Sequence, residues 1–359
     1  MEEDVAVNIG IIYHDDCEGH VICGIQERPE KVTCMLQALR LCFPHSAFLE
    51  ADFATDDTLS LYHSDEYLES LIDICRKSET TTLSYWVDAD TQVLCSTRRA
   101  IYRAAGAAIM AVDRIFLPVS DPLHLHSVFC CVRPPGHHAE RSKMMGFCFV
   151  NNAAVAAKYA QRVHGVERVA VLDFDAHHGN GTEEGFKHDP SLFYGSAHEM
   201  DSFPFSGEEP ELLVPVDPHE LLEVILGHVP IASRPPPLSS LPTSSSDDSN
   251  GESNISMSEW LYKELQLFGD VYVSQNPLER RLVRREVCVG TGSRRDFRQR
   301  WRHVVYEMIR FRPGLVILSA GFNGHASNPL SGESVPPPIF SPHSSTYIYL
   351  FIHSPDSHR

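Results

Sequence analysis

The chain has 359 residues, enough for one large α/β domain or two ordinary domains. A hydrophobic content of 43% is typical of a globular protein, and a net charge of −18 argues against a nucleic-acid binder, which would present a basic face. The 10 cysteines are scattered, the N-terminus has no signal-peptide pattern, and no apolar run reaches the roughly 18 residues of a membrane span. We therefore predict a soluble intracellular protein that binds neither membranes nor nucleic acid directly.

Apolar, β-rich segments alternate with segments of helical periodicity, as in a parallel sheet covered by helices. We predict strands at 9–13, 127–132, 168–172, 192–196 and 315–321, and helices at 32–41, 67–76, 98–116, 152–163 and 297–311. Residues 232–256 are rich in proline, serine and acidic side chains and are predicted to be a disordered insertion. Residues 331–359 contain three consecutive prolines and an apolar patch, 347–352, to which the pattern assigns no element.

Residues 171–181 (Val-Leu-Asp-Phe-Asp-Ala-His-His-Gly-Asn-Gly) carry two carboxylates and two imidazoles directly after a predicted buried strand. Side chains at i, i+2 and i+4 of an extended segment share a face. Asp173, Asp175 and His177 are therefore predicted to point the same way, with His178 on the other side. An Asp-x-His pair can bind zinc, and because a catalytic zinc usually has three protein ligands, a third ligand is expected elsewhere in the chain.

A second motif, Arg-Pro-Pro-Gly-His-His-Ala-Glu at 133–140, follows another predicted strand. Its prolines and glycine predict a rigid turn, so the backbone is expected to hold His137 and His138 in place. A single histidine is most often structural or solvated. Two adjacent histidines after a rigid turn, in a chain that also carries the Asp-rich motif, indicate a catalytic site.

Three segments in this order resemble the signature of the zinc-dependent histone deacetylase family, in particular its class II members and the bacterial acetylpolyamine amidohydrolases. They are residues 133–138, 146–152 (Gly-Phe-Cys-Phe-Val-Asn-Asn) and 173–182. Shorter similarities lie at 27–30, 63–67 and 319–325, and the resemblance extends from about Ile11 to Leu330. It implies an arginase-like α/β fold with a mostly parallel central sheet, helices on both faces, and the site at the carboxyl ends of the central strands.

The resemblance also implies a role for each matching residue. Asp175 and His177 match two zinc ligands, and His138 matches the general base that takes a proton from water and later protonates the leaving amine. His137 matches the electrostatic neighbour of this base. Two further residues match the groups that orient these histidines, Asp173 for His137 and Asn180 for His138. The implied reaction is metal-assisted hydrolysis of an acetyl amide.

The resemblance further implies a substrate channel and a second cation site. Phe147 matches one wall of a narrow channel for an acyl-lysine stem, Phe203 is a candidate for the opposite wall, and Gly146 lets substrate approach the backbone closely. The residues that match a monovalent cation site, expected to bind potassium, are Asp173, Asp175, His177, Ser196 and the backbone of Ala197.

The chain departs from the family pattern at the expected third zinc ligand. The family has an aspartate after Ser-Ala-Gly-Phe, whereas this chain has Asn323 after residues 319–322. An amide oxygen can bind zinc but carries no charge, so the formal charge of the site rises by one unit. We expect weaker metal binding, because divalent cations rely on carboxylate charge.

A second departure lies near the end of the chain. The family carries a tyrosine (a histidine in some members) on a glycine-rich loop that stabilises the oxyanion, and this sequence contains no Gly-Gly-Tyr. Tyr347 and Tyr349 lie in the apolar patch and are poor candidates for the role, and losing such a donor typically costs about 10²–10³ in rate. Residues 1–330 are therefore expected to form a deacetylase-like catalytic domain with an incomplete C-terminal part. Residues 331–359 are expected to be a divergent tail, as a truncated or mis-spliced gene model would produce.

Three functional hypotheses follow. The leading one is a zinc-dependent deacetylase acting on acetyl-lysine in histones or other proteins, or on acetylpolyamines, with corepressor-type partners and a role in chromatin regulation in the nucleus or cytoplasm. A non-catalytic scaffold or acyl-lysine binder is the alternative, favoured by Asn323 and the missing tyrosine. An arginase-like dimanganese hydrolase is disfavoured, because the residue that would have to be aspartate is Gly179.

Overall fold

The computed structural model describes residues 8–22, 27–207, 213–215, 272–274, 286–291, 294–323 and 347–353. The predicted insertion at 232–256 lies outside these residues. The helices are α1 (Glu30–Cys42), α2 (Asp56–Leu59), α3 (Asp65–Thr81), α4 (Thr97–Ile115), α5 (Asn152–His164), α6 (Asn180–Phe186) and α7 (Arg294–Phe311). The strands are β1 (Ile9–Tyr13), β2 (Ala47–Glu50), β3 (Tyr85–Trp86), β4 (Gln92–Val93), β5 (Ser127–Cys131), β6 (Val169–Asp173), β7 (Leu192–Glu199), β8 (Leu213–Pro215), β9 (Tyr272–Ser274), β10 (Glu286–Thr291), β11 (Leu315–Gly321) and β12 (Tyr347–His353).

The central sheet has eight strands in the order β10-β7-β6-β11-β12-β5-β1-β2, and all its pairings except those of β12 are parallel. Asp173 pairs with Ser196 of β7 on one side and with Ser319 of β11 on the other. The carboxyl ends of β6, β7 and β11 therefore meet at one edge of the sheet, where open α/β sheets bind their ligands.

Both faces of the sheet are buried beneath helices. On one face, Val169 and Val171 of β6 belong to the large core that includes residues of α3, α4 and α5. On the other face, Ala170 and Leu172 pack in a second cluster with Val304 of α7. This arrangement explains why β6 reads as an unbroken apolar run, and it confirms the predicted α/β architecture with a mostly parallel sheet.

The apolar patch at 347–352, to which no element was assigned, forms β12 in the middle of the sheet. The strand runs antiparallel between β11 and β5, where Leu350 pairs with Leu318 on one side and with Phe129 on the other. A short apolar run fits a strand that is covered on both faces, but its periodicity does not reveal the partner or direction. Assigning no structure to this part of the tail was therefore wrong.

The N-terminus of α5 is fixed by a contact that also involves the predicted motif at 63–67. The Asn151 side chain accepts a hydrogen bond from the Ala154 N–H (3.0 Å), which caps the helix. The Asn151 N–H donates to His63 Nε2 (2.9 Å), while His63 Nδ1 donates to the Arg141 carbonyl (3.3 Å). Because Nε2 is the acceptor, this buried arrangement requires a neutral His63 ring.

The motif at 27–30 is tied to the motif at 133–140 by a buried ionic cluster. Arg133 donates to Glu27 Oε1 (2.7 Å) and to the Cys17 carbonyl (2.9 Å), and Lys31 donates to Glu27 Oε2 (3.0 Å). All four residues are buried. The cluster fixes the end of β5 and hence the turn that carries the two adjacent histidines. Among the helices whose residues are described, none is both long and apolar enough to cross a membrane.

Candidate active site

The predicted site residues converge at the carboxyl ends of β6 and β11 and on the turn after β5. His137 and His138 lie side by side, with ring centroids 3.9 Å apart, and both are buried. The His138 ring is 6.1 Å from that of His177. Two motifs that are more than 30 residues apart in sequence thus form one cluster.

His137 is held by a buried carboxylate at the end of β6. Its Nδ1 lies 2.9 Å from Asp173 Oδ2, and both side chains are fully buried. The Tyr194 hydroxyl donates to the same oxygen (3.4 Å) and accepts from the Gly179 N–H (3.0 Å). Burial lowers the pKa of His137, but the charge of Asp173 and its hydrogen bond outweigh burial, and the net pKa lies above the ordinary value.

His138 is oriented by an amide instead of a carboxylate. Its Nδ1 donates to Asn180 Oδ1 (2.8 Å), and the Asn180 amide donates in turn to Glu140 Oε1 (2.7 Å), which fixes which end of the amide faces the ring. Burial, reinforced by the neighbouring His137, lowers the pKa of His138 well below its ordinary value. His138 is therefore neutral near pH 7, and with Nδ1 protonated it has an unprotonated Nε2 that can accept a proton.

Asp173, Asp175 and His177 were predicted to share one face of an extended segment. In the structure β6 ends at Asp173, so the two residues that follow are not part of a strand. Asp173 Oδ1 accepts from the Asp175 N–H (3.1 Å), and Asp175 Oδ1 accepts from the His177 N–H (2.7 Å). Each aspartate thus bonds the backbone two residues ahead, as Asx turns do. His178 lies elsewhere, bonded to Ser206 Oγ (2.9 Å), as the prediction that it points to the other side requires.

Asp175 is buried against the end of β11. A Cβ at Gly321 would overlap its Oδ2, so only glycine fits at that position. Burial raises the pKa of Asp175, but the hydrogen bonds from His177 and Asn323 and the nearby His137 lower it further than burial raises it. Asp175 is therefore ionised at neutral pH, and its Oδ2 has no hydrogen-bond partner among the residues that the structure describes.

Asn323 completes the cluster through both ends of its amide. Its Oδ1 accepts from the Ala176 N–H (2.9 Å), and its Nδ2 lies 2.8 Å from Asp175 Oδ1 and 3.1 Å from His177 Nδ1. The structure thus brings Asn323 next to Asp175 and His177, the two residues that match zinc ligands. The end of the amide that faces Asp175 and His177 is nevertheless the NH₂ group, which cannot bind a metal.

These residues fit the family's zinc only in part. Asp175 Oδ1 and His177 Nδ1 lie 3.0 Å apart, and Asp175 Oδ2, which accepts no hydrogen bond from the described residues, is a further oxygen that could bind a metal. Asn323 would have to reverse its amide to bind a metal, which would give up the bond from Ala176 and turn NH₂ toward another N–H. Among the described residues, no three His, Cys, Asp or Glu side chains are arranged to hold a metal ion. The set as it stands does not fit zinc.

The predicted channel residues occupy a tight hairpin beside His138. Met145 and Cys148 bond each other through their backbones (3.1 and 2.9 Å), and the central Gly146 and Phe147 both have positive φ (58° and 65°). This is the geometry of a type I′ turn, which an aromatic residue adopts only under strain. The Phe147 N–H donates to Thr91 Oγ1 (3.0 Å), which stabilises the turn.

Phe203, the candidate for the opposite wall, lies near the rings of His138 and His177. Its ring lies edge-on to His138 at 5.0 Å between centroids, and 6.3 Å from His177. A Cβ on Gly146 would come within 2.9 Å of Phe203 Cε1. Gly146 and Phe203 therefore lie close to each other beside His138.

Of the predicted monovalent cation residues, Ser196 and Ala197 lie in β7 next to the end of β6. Ser196 Oγ lies 2.9 Å from His198 Nδ1, and the His198 ring is 4.8 Å from that of His178. A potassium ion here stays a prediction. Three residues with clear roles were not predicted, Thr91, Glu140 and Tyr194. Of these three, only Glu140 could have been found from the sequence, as the carboxylate that closely follows the histidine pair.

Comparison with known proteins shows which family the chain is similar to. The family model of the histone deacetylase domain matches residues 25–351. Histone deacetylase 10, chloroplastic, from Oryza sativa subsp. japonica is 38% identical over 192 residues, which are 51% of this chain and 42% of the relative. Polyamine deacetylase HDAC10 from Homo sapiens is 36% identical over 202 residues, 53% of this chain and 29% of the relative.

Among solved structures, the crystal structure of the HDA15 HD domain is similar, with a TM-score of 0.51 and 29% sequence identity over 56% of this chain and 57% of that one. The chain spans well under two thirds of the length of these relatives. The arginase/deacetylase-like α/β fold, the buried histidine pair and the family match across most of the sequence agree with one another. The chain belongs to the histone deacetylase family, whose members are deacetylases that hydrolyse amides.

Proposed function

We propose that the described domain binds an acetylated amine between Phe147 and Phe203 and hydrolyses its acetyl amide, with low turnover. The observation that carries this proposal is the pair of buried, separately oriented histidines. Asp173 raises the pKa of His137 and so favours its protonated form, whereas burial lowers the pKa of His138, whose Nδ1 is committed to Asn180. Neighbouring groups whose pKa values are pushed apart are typical of acid–base catalysis.

In this proposal, His138 Nε2 takes a proton from the attacking water and returns it to the leaving amine. His137, when protonated, stabilises negative charge that develops on the carbonyl oxygen. The family's zinc would polarise the carbonyl and activate water when bound. Asp175 and His177 suit it and Asn323 as positioned does not, so we expect weak loading and slow hydrolysis. Potassium near Ser196 and Ala197 is part of the proposal, supported by their position beside Asp173.

The substrates we propose are acetyl-lysine side chains of histones or other proteins, or acetylpolyamines. The human relative's name, which specifies polyamines, supports the latter class. Corepressor-type partners, a role in chromatin regulation and residence in the nucleus or cytoplasm remain predictions from the family.

The test is acetate release from an acetyl-lysine peptide and an acetylated polyamine, with zinc supplied in excess. We expect slow release by the wild-type chain, and release faster by about 10- to 100-fold for Asn323→Asp, because ligand-shell changes typically have effects of that size. His138→Ala in both backgrounds should cost about 10²–10⁴ in rate. Release that is unaffected by His138→Ala would rule out the proposed base.

A second candidate function is a non-hydrolysing acyl-lysine binder or scaffold. The orientation of the Asn323 amide favours it, because the cluster keeps its geometry with donor and acceptor groups alone. Binding of the acetyl-lysine peptide without acetate release, in the Asn323→Asp variant as well as in the wild type, would favour this alternative.

A further inference from the structure

Asn323 stands where the family's third metal ligand is expected, and its two amide atoms meet opposite requirements. The backbone N–H of Ala176 needs an acceptor, and Asn323 Oδ1 supplies it at 2.9 Å. On the other side, the carboxylate oxygen Asp175 Oδ1 needs hydrogen-bond donors or a cation, and His177 Nδ1 lies 3.0 Å from it. Asn323 Nδ2 lies 2.8 and 3.1 Å from these two atoms.

An aspartate at this position would behave differently. One carboxylate oxygen would accept from Ala176, and the other would face Asp175 Oδ1 at the present place of Nδ2. Two ionised oxygens at that separation in a buried site repel strongly unless a cation or proton lies between them. A carboxylate at 323 therefore needs a cation, and the amide does not.

We infer that the Asn323 carboxamide replaces the metal ion in this chain. Its NH₂ group holds Asp175 and His177 together, and its oxygen holds the loop at Ala176, so the pocket is complete without zinc. The inference rests on the proposed function only in taking this pocket to be the acetyl-amide site. It follows that the pocket keeps its shape, and its affinity for an acetyl-lysine peptide, when every metal is removed.

The test compares the wild-type chain, Asn323→Asp and a control, Gln37→Glu, which adds the same charge at an exposed position far from the site in sequence. Each protein is stripped with a chelator and then given zinc alone, and bound zinc and the melting temperature are measured. For the wild type and the control, we expect little bound zinc and a melting temperature that zinc changes by less than about 1 °C.

For the stripped Asn323→Asp variant, we expect a melting temperature lower by about 5 °C or more, recovered on adding zinc with about one equivalent bound. Asn323→Ala, which removes both amide groups, should also melt lower but should not recover with zinc. Stoichiometric zinc in the wild type with a matching rise in its melting temperature would overturn the inference. So would an Asn323→Asp variant that is neither destabilised nor able to gain zinc.

These readouts do not depend on catalysis. If the proposed function is wrong, no variant will release acetate from the acetyl-lysine peptide, whereas the zinc content and melting temperatures will still follow the predicted pattern. The two failures can therefore be distinguished.

Discussion

Replacing Gly146 by alanine tests whether the hairpin at 145–148 and the wall opposite it pack as tightly as the structure shows. Gly146 has φ of 58°, and an added Cβ would lie 2.6 Å from His138 Cδ2 and 2.9 Å from Phe203 Cε1. Carbon atoms do not approach so closely without movement. The substitution should therefore lower the free energy of unfolding in two ways: it places a Cβ on a left-handed backbone, and it displaces the histidine or the phenylalanine.

Gly165 is the matched control for the first cost. It ends α5 with φ of 67°, and an added Cβ would meet no atom within 4 Å. Gly165→Ala should therefore cost only the left-handed penalty, about 1–2 kcal/mol. Gly146→Ala should cost the same amount plus about 1–3 kcal/mol for overpacking, or about 2–5 kcal/mol in total.

Urea unfolding of the two variants measures the difference in the free energy of unfolding. We also expect Gly146→Ala to weaken binding of an acetyl-lysine peptide by about tenfold or more, since 1.4 kcal/mol corresponds to a factor of ten, while Gly165→Ala leaves it unchanged. Equal losses of stability in the two variants would show that the space between His138 and Phe203 is looser than described.

Three further substitutions test separate contacts. Burial lowers the pKa of His63 to about 4 in the folded chain, whereas its pKa in the unfolded chain is about 6.5. Between these two pH values the unfolded chain binds one more proton than the folded chain. The free energy of unfolding therefore falls as the pH falls, by up to about 3 kcal/mol. Urea titrations at several pH values should show a shallower fall for His63→Gln, and parallel curves would contradict the assignment. Thr91→Val removes the acceptor for Phe147 and should cost about 1 kcal/mol with weaker peptide binding, measured by unfolding and by peptide titration. Tyr194→Phe removes the hydroxyl bonded to Asp173 and should cost about 1–3 kcal/mol in the same unfolding assay, and an unchanged value would show that this hydroxyl contributes nothing to stability.

The regular elements with strong periodicity could be predicted from the sequence, and those created by tertiary contacts could not. Helix α5 begins at Asn152 and is closed by Gly165, as its composition and its cap indicate. Helix α6 was not predicted, because its seven residues include two glycines and have low helix propensity. Its first turn forms against the histidine motif, where the N–H groups of Gly181 and Thr182 donate to the His137 carbonyl.

In the site, too, some contacts could be predicted from the sequence and others depend on tertiary structure. The resemblance predicted the pairs His137–Asp173 and His138–Asn180. In the structure the Nδ1 atoms of the two histidines lie 2.9 Å from Asp173 Oδ2 and 2.8 Å from Asn180 Oδ1. It could not identify Tyr194 as a partner of Asp173, because that contact depends on the register of β7 against β6. Nor could the sequence show that the NH₂ group of Asn323 faces Asp175, since the orientation of the amide depends on the nearby N–H of Ala176.

The groups that orient the two histidines are side chains of the protein itself. Asp173 is held by the backbone of Asp175, and Asn180 is held by Glu140, so the acid–base pair keeps its geometry whatever lies beside Asp175. The expected metal position is held separately, by Asn323. The two hydrogen-bonded groups use different side chains and share only Asp175, through its backbone N–H in one and its carboxylate in the other. Exchanging one amide NH₂ for an oxygen at position 323 should therefore change turnover far more than it changes binding.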